Sequence, residues 1–328
     1  DVSVYMDGYS AFLDISNNIK TTNNLKVKHS GSRNSNVPFW VLAFPGILLL
    51  VCFRLLPIFG LILPFKNYTA DKGILFSDWA GFKNFEYLFR SRDVLMATRN
   101  TILYNAAFII SGIVIGVIIA LFLYELTAKS VKVYQTVLFL PYFISWVVVA
   151  YIVKALLDVD NGVVNQIIEK LGGEAINWYG EKSVWPGIII VSNIWKNVGN
   201  NVIMYYAALI GISPDFYEAA KMDGAGKLKQ MWYISIPMIK NVIIVLFIIN
   251  IGKVMYADFG LFYNVPMNSS ILYETTDVLD TYVYRALINL GDIGMSSAAA
   301  FYQSVIGFLL VIASNFIVKK FDSESGIF

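Results

Sequence analysis

The sequence predicts an all-α, polytopic membrane protein with six transmembrane helices, and three observations predict it. Hydrophobic residues make up 57% of the 328 positions and charged residues only 15%, whereas a soluble domain carries about 25% charged residues. Mean hydropathy is +0.61. Apolar runs of the length that crosses a hydrocarbon core, about 20 residues, occur at 39–64, 101–123, 133–157, 185–212, 238–260 and 296–318.

Residues 1–36 are polar and rich in Ser and Asn, with no apolar core, so they are expected to form a cytoplasmic tail rather than a secretory signal. The membrane body is expected over 37–320, followed by a short cytoplasmic tail at 321–328. The first and third runs contain proline (Pro45, Pro57 and Pro64; Pro141). Membrane helices tolerate such breaks where neighbouring helices satisfy the freed carbonyls. Lys129 and Lys132 separate runs two and three, Lys221, Lys227, Lys229 and Lys240 lie between four and five, and Lys319 and Lys320 follow six. The loops around 158–182 and 263–292 are acid-rich. Cytoplasmic loops of membrane proteins carry an excess of lysine and arginine, so both termini and the segment 213–237 are placed inside. The loop at 66–98 is as basic as it is acidic, or more so, and fits this pattern poorly; its length weakens the rule there. Aromatic residues at 79–89 and at Trp178 and Tyr179 suit interfacial anchors or contact with an external partner.

Several function classes fall away on composition. A net charge of +2 is too small for nucleic acid binding. One cysteine, Cys52, set in an apolar run and expected to be an inert packed thiol, allows no disulfide framework. One histidine, His29, makes a metal cluster unexpected. No G-x-x-x-x-G-K-[ST] phosphate loop occurs, so nucleotide hydrolysis is expected on another chain and no cofactor on this one.

Polar residues inside a membrane are costly and tend to face the protein interior. Run four holds Asn193, Asn197, Asn200, Asn201 and Tyr205. Positions 193, 197, 201 and 205 recur every four residues and form one stripe on a helix face. Amides donate and accept, so this stripe suits a polyhydroxylated solute; asparagines also hold helices to one another, and both readings stay open. Trp195 could stack on a sugar ring or pack. Run five offers Asn250, Lys253, Tyr256 and Asp258, with Lys253 and Asp258 either paired or facing substrate. Run six presents Ser296, Ala300, Gln303, Gly307 and Ser314, of which Gln303 is the expected substrate contact. Lys154 and Lys196 are expected to snorkel or pair.

The charged island between runs four and five has a defined local structure. Ser213 can cap a helix, Pro214 stands where its missing N–H costs nothing, and Asp215 and Glu218 favour the positive helix end. A helix over 214–222 should meet a turn at Asp223-Gly224-Ala225-Gly226, where two glycines permit positive φ. A second helix over 227–235 should end near Pro237. The result is an elbow along the membrane face, either a docking platform or an interfacial linker.

This island resembles the EAA motif of permease subunits in binding-protein-dependent ABC importers. Glu218, Ala219, Ala220, Asp223, Gly224, Ala225, Ile234 and Pro237 match it, while Asn241 stands where a proline is often found. The segments FRLLPIFGLILPFKNY (53–68), LPYFISWVVVAY (140–151), IWKNVGNNVIMYYAAL (194–209) and DTYVYRAL (280–287) are similar to the polysaccharide or complex-oligosaccharide subgroup of sugar permeases. The resemblance implies a type I importer permease in the bacterial cytoplasmic membrane. It implies a second homologous permease subunit, two ATPase subunits that bind ATP and Mg, an extracytoplasmic solute-binding protein and an oligosaccharide substrate. Residues 218–220 and 223–226 (Gly226 included) would then dock on the ATPase. Within the importer class the alternative is a type I permease for a simpler sugar; the rivals from other classes are a membrane-embedded enzyme and an ion-coupled secondary transporter. The first lacks clustered titratable residues; the second often shows internal repeats, and none is visible.

Overall fold

The computed structural model describes residues 37–321, so the expected N-terminal tail with His29, and residues 322–328, lie outside the described residues. The described part is helical apart from a small antiparallel ladder, β1 (Lys66–Asn67) with β2 (Asp78–Trp79).

The chain divides at Phe59/Gly60 into two compact units. In the first, α1 (Val37–Leu50) runs into a π-helical turn, Val51–Leu55. There the Leu56 N–H donates to the Val51 carbonyl, a wider turn just ahead of Pro57. A 3₁₀ segment, Leu56–Phe65, continues it. Cys52 is exposed, a correction to the packed thiol expected from its apolar neighbours.

The second unit contains α2 (Lys83–Arg90), α3 (Arg92–Tyr124), α4 (Ala128–Phe139), α5 (Trp146–Leu156), α6 (Val163–Lys170), α7 (Trp185–Ile210), α8 (Pro214–Met222), α9 (Lys240–Ile251), α10 (Phe259–Asn264), α11 (Leu279–Leu290) and α12 (Ile293–Phe321). Phe39–Phe65, Arg92–Tyr124 and Ile293–Phe316 are continuous helices long and apolar enough to span. Two further candidates are bent pairs, Ala128–Phe143 with Trp146–Leu156 at 98° and Lys227–Met238 with Lys240–Ile251 at 57°. Helix α7 has 26 residues, length enough to cross a bilayer at 1.5 Å per residue. Its asparagines and Lys196 lower its hydropathy below that of a simple span. Among the described residues, the six expected helices are therefore three continuous apolar helices, two bent pairs and one polar helix.

The bends have local causes. Pro141 stops α4, and Ser145 starts α5 by accepting the Val148 N–H at 3.4 Å. Lys196 of α7 is buried, and its ammonium donates to the carbonyls of Tyr142 (2.7 Å) and Ile144 (2.6 Å), with a longer contact to Pro141 (3.4 Å). Lys196 neither snorkels nor forms an ion pair; it supplies donors to a broken helix, as low-dielectric surroundings require. One turn along, Gly199 lies so close to the Leu138 carbonyl that a Cβ would collide with it.

Run five also departs from expectation. Its helix stops at Ile251, and residues 252–258 form an unwound segment before α10. Three side chains satisfy that backbone. Asn105 of α3 donates to Val254 (3.0 Å) and Tyr256 (3.1 Å), Gln303 of α12 donates to Met255 (2.9 Å), and Asp280 accepts the Ala257 N–H (2.7 Å).

Helix α3 is the packing axis. Gly112 and Gly116, four apart, let α7 approach closely. A Cβ on Gly112 would stand 2.8 Å from Asn201 Nδ2, and one on Gly116 3.1 Å from the Tyr205 ring. Towards the elbow, Val117, Ala120 and Leu121 bury against Val202, Tyr205, Leu209 and Ile239. At the far end, Tyr104 packs with Trp185, Ile189 and Phe262. Tyr179 joins that cluster, its hydroxyl donating to Val265 at 3.2 Å, so it is packed rather than an anchor. Trp79 is exposed, as an anchor would be. Lys182 and Glu274 pair on that side, and the Lys182 hydrogen bond holds the Glu274 carboxyl below its usual range.

Candidate functional site: a polar cavity and an exposed elbow

The stripe on α7 opens onto a cavity of about 390 Å³. Asn193, Asn197, Asn201 and Tyr205 line one wall. Asn250, Lys253, Tyr256 and Asp258 line another, from the end of α9 and the unwound segment. Asn105, Phe108, Ile109, Gly112 and Ile113 of α3 close the third. Eight of the expected pathway residues thus meet at one place. The unwound segment is what permits this, because on one continuous helix residues 256 and 258 would point to opposite faces.

Gln303 is the exception and a correction. It is buried outside the cavity lining, holding Met255 and the Asp280 carboxylate (3.2 Å). Trp195 and Asn200 also lie outside the lining. Lys253 and Asp258 face the same cavity without pairing. Asp258 accepts the Trp146 indole N–H at 2.5 Å and caps α10 by accepting the Leu261 N–H. The Trp146 ring in turn faces the Lys196 ammonium at 5.3 Å, an arrangement favoured by the ring quadrupole. The Tyr256 hydroxyl meets Ser304 at 2.8 Å.

The cavity is therefore lined by amides, two phenols, one lysine and one carboxylate, set against apolar α3 side chains. Such a surface donates and accepts hydrogen bonds and offers one charge of each sign, which suits a polyhydroxylated solute. Among the described residues no group of His, Cys, Asp and Glu could hold a metal. The α3 wall was missed by sequence reasoning; Asn105 is its polar member, and its signal was an asparagine inside an apolar run.

The elbow forms at 213–237. Helix α8 runs from Pro214 to Met222, the bounds expected from its caps, and is capped by Ser213, whose hydroxyl accepts the Asp215 N–H at 3.4 Å. Gly224 adopts φ +77°, and the Ala225 N–H returns to Ala220 O at 2.9 Å. Gly226 has φ −68° and serves as the cap of the short helix Lys227–Gln230, so the left-handed turn depends on Gly224 alone. A π-helical turn, Met231–Ser235, replaces the regular second helix. Glu218, Ala219, Asp223, Gly224 and Gly226 are exposed; Ala220 and Ala225 are half-buried. Phe216, Met222 and Leu228 are exposed beside them.

A helical bundle with a polar cavity in its apolar body and an ordered elbow belongs to the class of membrane permeases. The chain is a member of the binding-protein-dependent transport system inner membrane component family, whose profile matches residues 112–323. It is 36% identical over 290 residues to protein LplB of Bacillus subtilis, covering 88% of this chain and 90% of that one. The polygalacturonan/rhamnogalacturonan transport system permease protein YteP of Bacillus subtilis is 35% identical over 286 residues, covering 87% and 88%. A chain from the crystal structure of a bacterial ABC transporter that imports the acidic polysaccharide alginate superimposes with a TM-score of 0.80 at 29% identity, covering 88% of this chain and 96% of that one. A second structure of a bacterial alginate ABC transporter, in complex with an alginate pentasaccharide-bound periplasmic protein, gives 0.79 at 29% identity, covering 87% and 95%. The expected fold and permease class are borne out.

Proposed function

We propose that this chain forms one half of the transmembrane pathway of an ATP-driven importer and carries a complex oligosaccharide or polysaccharide inward. The observation that carries this reading is the convergence of Asn193, Asn197, Asn201, Tyr205 and Asn250 on one cavity. The sugar-polymer transport named for YteP and for the alginate importers supports the substrate class. A second, similar permease supplies the other half of the pore, and a solute-binding protein delivers the sugar from outside. Two ATPase subunits bind ATP and Mg inside and dock on the exposed elbow residues Glu218, Ala219, Asp223 and Gly224. With lysine-rich connections inside, both termini lie in the cytoplasm.

ATP-driven closure of the ATPase pair displaces the elbow, and the cavity-lining helices, α7 and α9 with α3, move between inward-facing and outward-facing states. Hydrolysis resets them. This chain binds and guides the sugar; the bond-breaking chemistry belongs to its partner.

The test is uptake of a labelled oligosaccharide into vesicles holding the whole assembly, with and without Asn197→Leu/Asn201→Leu. The double substitution is expected to lower uptake about tenfold or more, because buried sugar hydroxyls lose their partners, while the ATPase stays bound. Full uptake would assign the stripe to helix packing and overturn its role in the pathway.

A further inference from the structure

We infer that Glu125 and Lys227 form the clasp that transmits movement of the elbow to the polar cavity, with Glu125 as a positioning residue for transport; this rests on the proposed docking of an ATPase at the elbow. Glu125 terminates α3 at its elbow end, and its carboxylate lies 2.5 Å from the Lys227 ammonium at the start of the elbow's second half. Beside it, the Tyr124 ring packs 5.5 Å from that of Tyr217 in the elbow's first half. The last turn of α3 therefore holds both halves.

The other connections from elbow to cavity are jointed. Towards α7 the chain passes through a non-helical turn at Gly211-Ile212-Ser213. Towards α9 it passes through the π turn Met231–Ser235 and a 57° bend. Helix α3 is continuous over 33 residues. From Glu125 to Asn105 it covers roughly 30 Å at 1.5 Å per residue, and there Asn105 grips the unwound segment that bears Lys253 and Tyr256. Joints absorb displacement and a straight helix conveys it. The clasp is consequently the stiff route from the docking face to the cavity wall. The Glu125 side chain is 23% exposed and that of Lys227 67%, so the pair adds little to folding stability and its loss falls on coupling.

The experiment is a charge exchange in the complete reconstituted importer, read as sugar imported per ATP hydrolysed. Glu125→Lys and Lys227→Glu are each expected to lower that ratio about tenfold with ATPase content and thermal unfolding unchanged, and the double exchange to restore it. Glu125→Gln, which removes the charge and keeps the shape, should lower it in the same direction. A wild-type ratio in the single exchanges, or a loss that the double exchange does not restore, overturns the clasp. A wild-type assembly that carries no ATPase overturns the docking reading itself and the clasp with it.

Discussion

The side-chain amide of Asn105 donates to the backbone carbonyls of Val254 and Tyr256 at 3.0 and 3.1 Å, joining positions 149 and 151 residues apart in sequence. This contact lets a membrane segment remain unwound beside the cavity, since carbonyls freed from a helix in a low-dielectric interior need another donor. Asn105→Leu keeps the bulk and removes the donor. It is expected to cost about 1–3 kcal/mol, lowering the unfolding temperature of the detergent-purified protein, and to impair uptake because Lys253 and Tyr256 lose their placement. An unchanged melting curve would mean that the loop is held by Gln303 and Asp280 alone.

Lys196 performs the same service at the Pro141 break. Lys196→Met matches its length and strips the donors from Tyr142 and Ile144. The expected loss is about 3 kcal/mol, since charge-assisted bonds to buried carbonyls are among the stronger ones. Lys196→Arg should recover part of it. Thermal unfolding checks the magnitude, and limited proteolysis between α4 and α5 checks the place.

The two glycines of the elbow should separate cleanly. Neither would bring a Cβ within 4 Å of other atoms, so only backbone conformation distinguishes them. Gly224→Ala is expected to strain the turn by about 1 kcal/mol, and Gly224→Val by more, with loss of ATPase co-purification. Gly226→Ala, at an ordinary φ, should leave assembly intact. Equal effects from both would show that the docking surface, and not the turn, is what the glycines serve.

The α3–α7 contact predicts a steric control on the pathway. A Cβ at Gly112 would press on Asn201 Nδ2 at 2.8 Å, so Gly112→Leu should fill the cavity and lower uptake more than tenfold. Gly187→Leu on α7, with nothing within 4 Å, is the matched control and should transport normally.

The elbow was legible almost residue by residue because its determinants are local. Ser213, Pro214 and Gly224 act on neighbours within a few positions, and caps and turns obey short-range rules. The polar stripe was legible for the same reason, since helical spacing alone brings residues 193, 197, 201 and 205 to one face. Gln303 was misjudged: a lone glutamine in an apolar run suits a cavity or a buried backbone equally, and only its partner at Met255 separates the two.

Apolar run length and the polar island between runs decided by themselves that this chain crosses a membrane and presents an elbow, because hydrophobic transfer and helix capping depend on composition and near neighbours. The tertiary structure alone decided where the helices break and what the breaks enclose. Pro141 marks a bend, but Lys196 of another helix stabilises it. Between 238 and 260 only Gly252 hints locally that the helix stops at Ile251; Asn105, Asp280 and Gln303, distant in sequence, supply the hydrogen bonds that make stopping there possible. Inside a membrane every freed backbone group must find a protein partner, and the partner's position is set by the packed bundle rather than by the run that contains the break.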